Sequence, residues 1–245
     1  MMSLSNPSLG DVVKKQFCYK LKAYQQVFTT LVIIQVIAIF FSFNGVGSMG
    51  SGSQSINIDI RYYSADMVVG FTIFWAFVTA INLTTKAYRY DDFAFITNRV
   101  SSNLSNILFL LAASVIGGST SVLSTSLLKV IMVYFRGEQL VASSSKMFVP
   151  LEFLLGIMTT SFYIFLFCAL GYFVGMLVQI NKIFIIVLPA IFLGIGIGKE
   201  KLLINLFAIF FTESSLLLFI VKVAIAVALL FYCSVILSNR MEVKS

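Results

Sequence analysis

Six apolar runs of near-spanning length constrain this chain more than any other feature of its sequence. A helix that crosses a bilayer needs about 20 apolar residues, because the hydrocarbon core is about 30 Å thick and a helix rises about 1.5 Å per residue. Only 11% of the residues are charged, well below the roughly 25% usual in soluble domains. We therefore predict an all-α integral membrane protein that forms a single transmembrane domain over residues 1–245. The six predicted transmembrane helices are residues 27–43, 65–83, 107–128, 151–178, 183–198 and 216–237.

Residues 8–25, ahead of the first run, have the pattern of a separate amphipathic helix. Ser8 followed by Asp11 has capping-box spacing, and apolar residues then recur at three- and four-residue steps. The opposite face carries Lys14, Lys15 and Lys22. This pattern predicts an interfacial helix on the inner membrane surface, with its lysines near anionic headgroups. A solvated basic leader is the alternative.

Two predicted outer segments do not span. The loop before the second run begins as a Gly/Ser-rich flexible stretch and ends with strand-like alternation, and we assign no chemistry to it. Residues 199–213 contain an apolar run of ten residues, which is too short to cross and predicts a re-entrant or interfacial segment. Glu213 closes that run. On a continuous helix its separation of nine residues from Lys222 would place the two on nearly opposite faces, so we do not expect them to pair.

The basic residues predict the orientation of the chain. With both termini inside, ten Lys and Arg residues lie in inner segments and five in outer ones, which favours cytoplasmic termini by the positive-inside rule. The net charge of +7 is scattered between apolar runs and forms no basic stripe with interleaved aromatics. We therefore expect a lipid bilayer as partner and no nucleic acid.

Several kinds of chemistry are disfavoured by composition. The chain has no His, so it lacks the commonest general base and metal ligand, and we expect no metal site and no intramembrane enzyme. The sequence "GIGIGKE" at Gly194 to Glu200 resembles a phosphate-binding loop, but Leu193 replaces its first glycine and Glu200 its hydroxyl residue. The chain thus shows no ATP site of its own. Its three cysteines do not suggest a disulfide framework.

Polar and small residues within the runs are candidates for two roles. A polar stripe could line a translocation route, although hydroxyls can instead bond carbonyl groups of their own helix. The candidate route residues are Gln35, Ser119, Ser121, Ser124 and Thr125. Gly171 and Gly175 have the small-xxx-small spacing that allows close helix packing, a spacing that also arises by chance in apolar helices.

The segment 84–106, between the second and third runs, gathers charges and aromatics that the rest of the chain avoids. Phe93, Ile96 and Val100 have helical spacing, and Asp91 and Asp92 precede that turn, where acids favour the helix dipole. This predicts a short cytoplasmic helix whose aromatics suit a protein partner, since interfaces favour Tyr, Phe and Arg. An ordinary loop between helices is the alternative.

The overall layout resembles the membrane (permease) subunit of a type-2 ABC exporter. The shared features are the N-terminal amphipathic helix, six spans in 245 residues, the cytoplasmic helix and short apolar elements before the last span, with "FITNRVSSNLSNILFLL" as the nearest sequence echo. The resemblance implies that the cytoplasmic segment holds a coupling helix that docks on a separate ABC ATPase subunit. The implied contact residues are Tyr88, Arg89, Tyr90, Asp91, Asp92, Phe93, Phe95, Ile96 and Arg99. The short "QINK" link between spans four and five departs from that family by leaving little second contact with the ATPase.

The resemblance also implies a function and partners. The chain would be the permease of an ATP-driven exporter in the bacterial cytoplasmic membrane, multi-pass and paired with a second, identical or homologous permease. ATP and Mg²⁺ would bind the partner ATPase, and this chain would bind no cofactor. Its apolar spans with hydroxyls suit an amphipathic or hydrophobic substrate, such as a peptide or antimicrobial. The alternative is an ATP-independent transporter or channel.

Overall fold

The structure is a computed structural model that describes residues 8–43, 47–53, 56–62, 66–88, 99–136, 150–198, 205, 208–213 and 215–240. Helices make up most of these residues, and two strands lie between the second and third helices. The helices are α1 (Leu9–Ala23), α2 (Gln25–Ser42), α3 (Asp66–Leu83), α4 (Arg99–Arg136), α5 (Pro150–Ile180), α6 (Phe184–Gly198) and α7 (Leu216–Arg240). The strands are β1 (Gly47–Ser53) and β2 (Ile56–Tyr62).

Five helices, α2, α3, α4, α5 and α7, are long and apolar enough to cross a membrane, by length and composition. The chain is therefore a multi-pass membrane protein. The fifth predicted span, 183–198, corresponds to α6, which has 15 residues and includes Pro189. At about 1.5 Å per residue α6 is about 22 Å long, shorter than a hydrocarbon core of about 30 Å. A further helical turn covers residues 208–211, within the part of the predicted outer segment that the structure describes.

The helix α4 differs most from its predicted bounds. It has 38 residues and begins at Arg99, whereas the sequence predicts a span from 107 to 128 and assigns 99–106 to the cytoplasmic segment. The polar sequence "RVSSNLSN", residues 99–106, is therefore helical and continuous with the third predicted span. Its Ser101, Asn103, Ser105 and Asn106 are all buried, and polar residues can extend an apolar helix where they find partners.

The α1 helix begins where the capping pattern predicts. The Asp11 N–H donates to Ser8 Oγ at 3.3 Å, and the Ser8 hydroxyl donates to Asp11 Oδ2 at 2.7 Å. The helix ends at Ala23, and Tyr24, with φ −102° and ψ 38°, separates it from α2. One non-helical residue therefore joins the two helices.

An antiparallel hairpin lies between α2 and α3, in the loop predicted to be outside. Residue Gly47 pairs with Tyr62, and Ser53 pairs with Ile56, so a two-residue link joins the strands. The Gly/Ser-rich stretch was predicted to be flexible, yet it forms β1. Its partner β2 carries the alternating sequence "INIDIRY", and pairing with such a strand gives the backbone groups of β1 their hydrogen-bond partners.

The chain divides into two compact units. One unit contains α2, the hairpin, the first part of α3 and residues 113–164 of α4 and α5. Its core includes Leu31 and Ala38 from α2, Val68 and Trp75 from α3, and Ile164 from α5. The hydrogen bonds of Gln35, described below, lie in this unit.

The other unit contains α1, the end of α3, the start of α4, the second part of α5, α6 and α7. Aromatic side chains form part of its core. The Phe231 ring of α7 lies 5.7 Å from the Tyr172 ring and 5.6 Å from the Phe165 ring of α5, between centroids. This unit holds the candidate site.

Candidate functional site

A buried lysine joins α1 to the first turns of α4. The Lys20 ammonium donates to Ser105 Oγ at 2.8 Å and also to Asn106 Oδ1, and the side chain is only 1% exposed. One turn later, the Tyr24 ring meets the Phe109 ring of α4 edge to face, with centroids 5.9 Å apart. The second contact lies further along the chain in both helices, so α1 runs parallel to the start of α4.

A tyrosine from α5 extends this polar contact. The Tyr172 hydroxyl donates to Asn103 Oδ1 at 2.8 Å and accepts from Asn106 Nδ2 at 3.3 Å. Tyr172 is fully buried. We call Lys20, Asn103, Ser105, Asn106 and Tyr172 the Lys20 cluster. Each member has a hydrogen bond, which offsets much of the cost of removing an ammonium group and four polar side chains from water.

The pattern of α1 explains why Lys20 lies inside. The buried residues of α1 and its end are Val13, Gln16, Lys20 and Tyr24, which recur at three- and four-residue steps and so share one face. The lysines at 14, 15 and 22 are exposed, as their assignment to the opposite face predicts. The apolar stripe was predicted to face lipid, but this buried face is half polar and contacts α4. Sequence reasoning missed Lys20 and Gln16, although their spacing from Val13 and Tyr24 was a visible signal.

The structure describes only part of the predicted ATPase contact. Of its residues, Tyr88 and Arg99 are described, while Arg89, Tyr90, Asp91, Asp92, Phe93, Phe95 and Ile96 lie outside the described residues. The Tyr88 ring contacts the Tyr24 ring with centroids 4.7 Å apart. The Arg99 guanidinium donates from Nη1 to the Ser238 carbonyl oxygen at 3.2 Å. The two described residues that flank 89–98 therefore contact the end of α1 and the last turn of α7.

Among the candidate route residues, Gln35 connects three helices. Its Nε2 donates to Thr72 Oγ1 of α3 at 3.2 Å and to Thr120 Oγ1 of α4 at 2.9 Å. Nearby in the same unit, the Trp75 indole N–H donates to Thr30 Oγ1 of α2 at 3.1 Å. These bonds between helices were not anticipated, because single hydroxyls on different runs carry no signal of proximity. They hold α2, α3 and α4 together.

The other candidate route residues belong to α4. The Ser119, Ser121 and Ser124 hydroxyls donate to carbonyl oxygens three or four residues earlier, at 2.8, 3.0 and 2.8 Å. Ser121 and Ser124 are buried, while Ser119 and Thr125 are half-buried. These bonds match the alternative interpretation, in which the hydroxyls bond carbonyl groups of their own helix and line no route. Ser121 and Ser124, three residues apart, share a buried face of α4, whereas Ser119 lies on another face.

Gly171 and Gly175 lie where α5 meets the end of α3. A Cβ atom on Gly171 would lie 3.1 Å from the Ala80 Cβ and still closer to the Phe77 carbonyl oxygen. A Cβ on Gly175 would meet Thr84 and would be 3.2 Å from the Ile81 Cα. Both glycines therefore permit an approach of the two backbones that any larger residue would prevent.

Glu213 and Lys222 form an ion pair, contrary to the sequence expectation. The expectation assumed one continuous helix through both residues. However, α7 begins at Leu216, so Glu213 precedes it, and Lys222 reaches back across the first turns. Both side chains are partly exposed, so the pair contributes little to stability in water-accessible surroundings.

The described residues contain no group of three or more His, Cys, Asp or Glu side chains placed to hold a metal ion. Comparison with models of known protein families, with curated proteins and with solved structures gave no match.

Proposed function

We propose that the chain is the permease subunit of an ATP-driven exporter of the type-2 ABC class, moving an amphipathic or hydrophobic substrate out across the cytoplasmic membrane. One observation carries this proposal. The segment 89–98, which would contact the ATPase, is flanked by Tyr88, which packs against Tyr24 at the end of α1, and by Arg99, which donates to the Ser238 carbonyl oxygen of α7. An ordinary loop between helices would not need both of its flanking residues to contact other helices.

The same contacts support a route for transmitting force. A displacement of residues 89–98 by the ATPase would move Arg99, the first residue of α4. The helix α4 then continues without a break for 38 residues. The Lys20 cluster would carry the displacement to α1 and α5. ATP binding and hydrolysis in the partner would then bias the helices between two arrangements, which is how a nucleotide drives a two-state element.

The remaining parts of the proposal concern partners. ATP and Mg²⁺ bind the separate ATPase, and a second permease, identical or homologous, completes the transporter. The termini face the cytoplasm, as the distribution of basic residues indicates. Gln35 and the α4 serines already have hydrogen-bond partners within the protein, which favours an apolar route over one lined by hydroxyl groups. An apolar route suits a peptide or lipid-like substrate.

Co-purification tests the proposal directly. Phe93→Ala or Phe95→Ala should weaken binding of the ATPase by about 1–3 kcal/mol, as loss of a central aromatic contact does. Reversing Asp91 and Asp92 to Lys should uncouple transport from ATP hydrolysis while the protein still inserts. Phe74→Ala is the matched control, because Phe74 is an exposed aromatic on α3 outside the segment. Transport that persists without any ATPase would favour an ATP-independent transporter or channel instead.

A further inference from the structure

One helical turn before Lys20 and Asn106, α1 and α4 contain buried polar atoms that have no hydrogen-bond partner among the described residues. Gln16 is 2% exposed, and neither its amide nitrogen nor its amide oxygen has a hydrogen-bond partner among the described residues. Asn103 is also buried, and its Nδ2 donor has no partner within those residues, although its Oδ1 accepts from Tyr172. Buried polar groups in native proteins are nearly always paired, so these three atoms require an explanation.

The register of the two helices places these atoms at the same level. Lys20 binds Asn106, Gln16 lies four residues before Lys20, and Asn103 lies three residues before Asn106. Because α1 and α4 run parallel here, one turn back along each helix brings Gln16 opposite Asn103. Their unpaired atoms are also complementary, since the Gln16 Oε1 accepts hydrogen bonds and the Asn103 Nδ2 donates them.

We propose that α1 has a second position on α4, in which Gln16 Oε1 accepts a hydrogen bond from Asn103 Nδ2 while Lys20 stays bound to Asn106. The movement we propose is on the order of 1–2 Å, the size of known helix shifts at interfaces. The flexible four-carbon stem of Lys20 can follow α1 without losing its acceptors.

Two features of α1 allow this movement. Tyr24 is the single non-helical residue between α1 and α2, so α1 can pivot there without distorting α2. The face of α1 opposite Lys20 is exposed, including Lys14, Lys15 and Lys22. Movement of α1 would also move Tyr24 against Tyr88 and so alter the position of residues 86–88. The inference rests on the α1 and α4 contacts alone and does not depend on an ATPase partner.

A fluorine probe on Cys18 tests the inference in the full chain. Cys18 is exposed on α1, two residues from both Gln16 and Lys20, and Cys168 is buried and can remain. The exposed Cys233 is replaced in a Cys233→Ser background, and a trifluoromethyl label on Cys18 is observed by ¹⁹F NMR in lipid nanodiscs. Two positions of α1 predict two resonances, or one averaged resonance if exchange is fast.

Variants connect the signal to the proposed bond. Gln16→Met has a similar size but cannot form the bond, so it should remove one resonance or shift the averaged one. Asn103→Asp should do the same, since a carboxylate still accepts from Tyr172 but cannot donate to Gln16. Lys15→Gln, an exposed change on the same helix, should leave the spectrum as it is in the parent chain. A spectrum that neither Gln16→Met nor Asn103→Asp alters would overturn the inference, whether it shows one resonance or two.

Discussion

The Ala80 side chain of α3 packs directly against Gly171 of α5, so that a Cβ atom on Gly171 would lie 3.1 Å from the Ala80 Cβ. The Phe77 carbonyl oxygen would be closer still. A backbone atom cannot move aside as a flexible side chain can, so a methyl group at this position would force the two helices apart. The contact therefore fixes the distance between α3 and α5 within their unit.

Gly171→Ala should consequently destabilise the protein, by about 1–3 kcal/mol, the usual cost of overpacking a close contact. The free energy of unfolding can be measured by SDS titration in bicelles. Gly194→Ala is the matched control, because a Cβ there meets nothing within 4 Å. That variant should be neutral or slightly stabilising, since Ala favours helix more than Gly does. Equal effects of the two substitutions would show that the close approach is unimportant.

The Lys20 cluster predicts an asymmetric response to mutation. Asn106→Leu removes an acceptor from a buried ammonium group and should cost about 1.5–3 kcal/mol of unfolding free energy. Adding Lys20→Met to that variant should recover part of the loss, because the charge that lacks an acceptor is then gone. Lys22→Met, on the exposed face of α1, should change stability by less than about 0.5 kcal/mol. Additive losses in the double variant would contradict the pairing.

The apolar runs predicted most helices closely. The bounds of α2, α3, α5 and α7 lie within three residues of the predicted spans, because hydrophobic length is a local property that the sequence carries directly. The start of α4 was missed for the opposite reason. Whether Asn103, Ser105 and Asn106 continue a helix depends on Lys20 and Tyr172, which are distant in sequence.

The candidate site was less predictable than the fold. Clustered charges and aromatics pointed to 84–106, and the polar residues at its end do take part in the Lys20 cluster. Lys20 was missed despite its spacing from Val13 and Tyr24, because a lysine on an amphipathic helix normally marks the solvated face. The Glu213 and Lys222 pair was rejected on helix geometry that does not apply, since a helix boundary separates the two residues. Each miss concerns a contact that tertiary structure decides.

Gln35 predicts a structural effect that can be separated from transport. Gln35→Leu removes the hydrogen bonds to Thr72 and Thr120 and should lower the unfolding free energy by about 1–2 kcal/mol, within the range for bonds between membrane helices. Ser119→Ala removes only a bond within α4 and should have little effect. Thermal unfolding in nanodiscs measures both variants. If Gln35→Leu changed transport without any loss of stability, Gln35 would be better assigned to the translocation route.

The last prediction concerns the orientation of the chain. Lys20 binds Ser105, and Arg99 binds the Ser238 carbonyl, so α1 and the last turn of α7 both lie at the start of α4 and therefore on the same side of the membrane. The distribution of Lys and Arg favours the cytoplasm for that side. A membrane-impermeant maleimide should thus label native Cys18, which is exposed, only after the membrane is permeabilised.

The complementary label is placed on the hairpin. Ser53 is the last residue of β1, and β2 lies between it and α3 along the chain. A Ser53→Cys variant in which Cys18 and Cys233 are replaced by Ser should react with the maleimide in intact cells. A hairpin that reacts only after permeabilisation, together with a freely reactive Cys18, would invert the topology. Such a result would place α1 and the segment 89–98 outside the cell, where no ATP-hydrolysing partner could act on them, and would exclude the proposed exporter while leaving the packing of α1 on α4 intact.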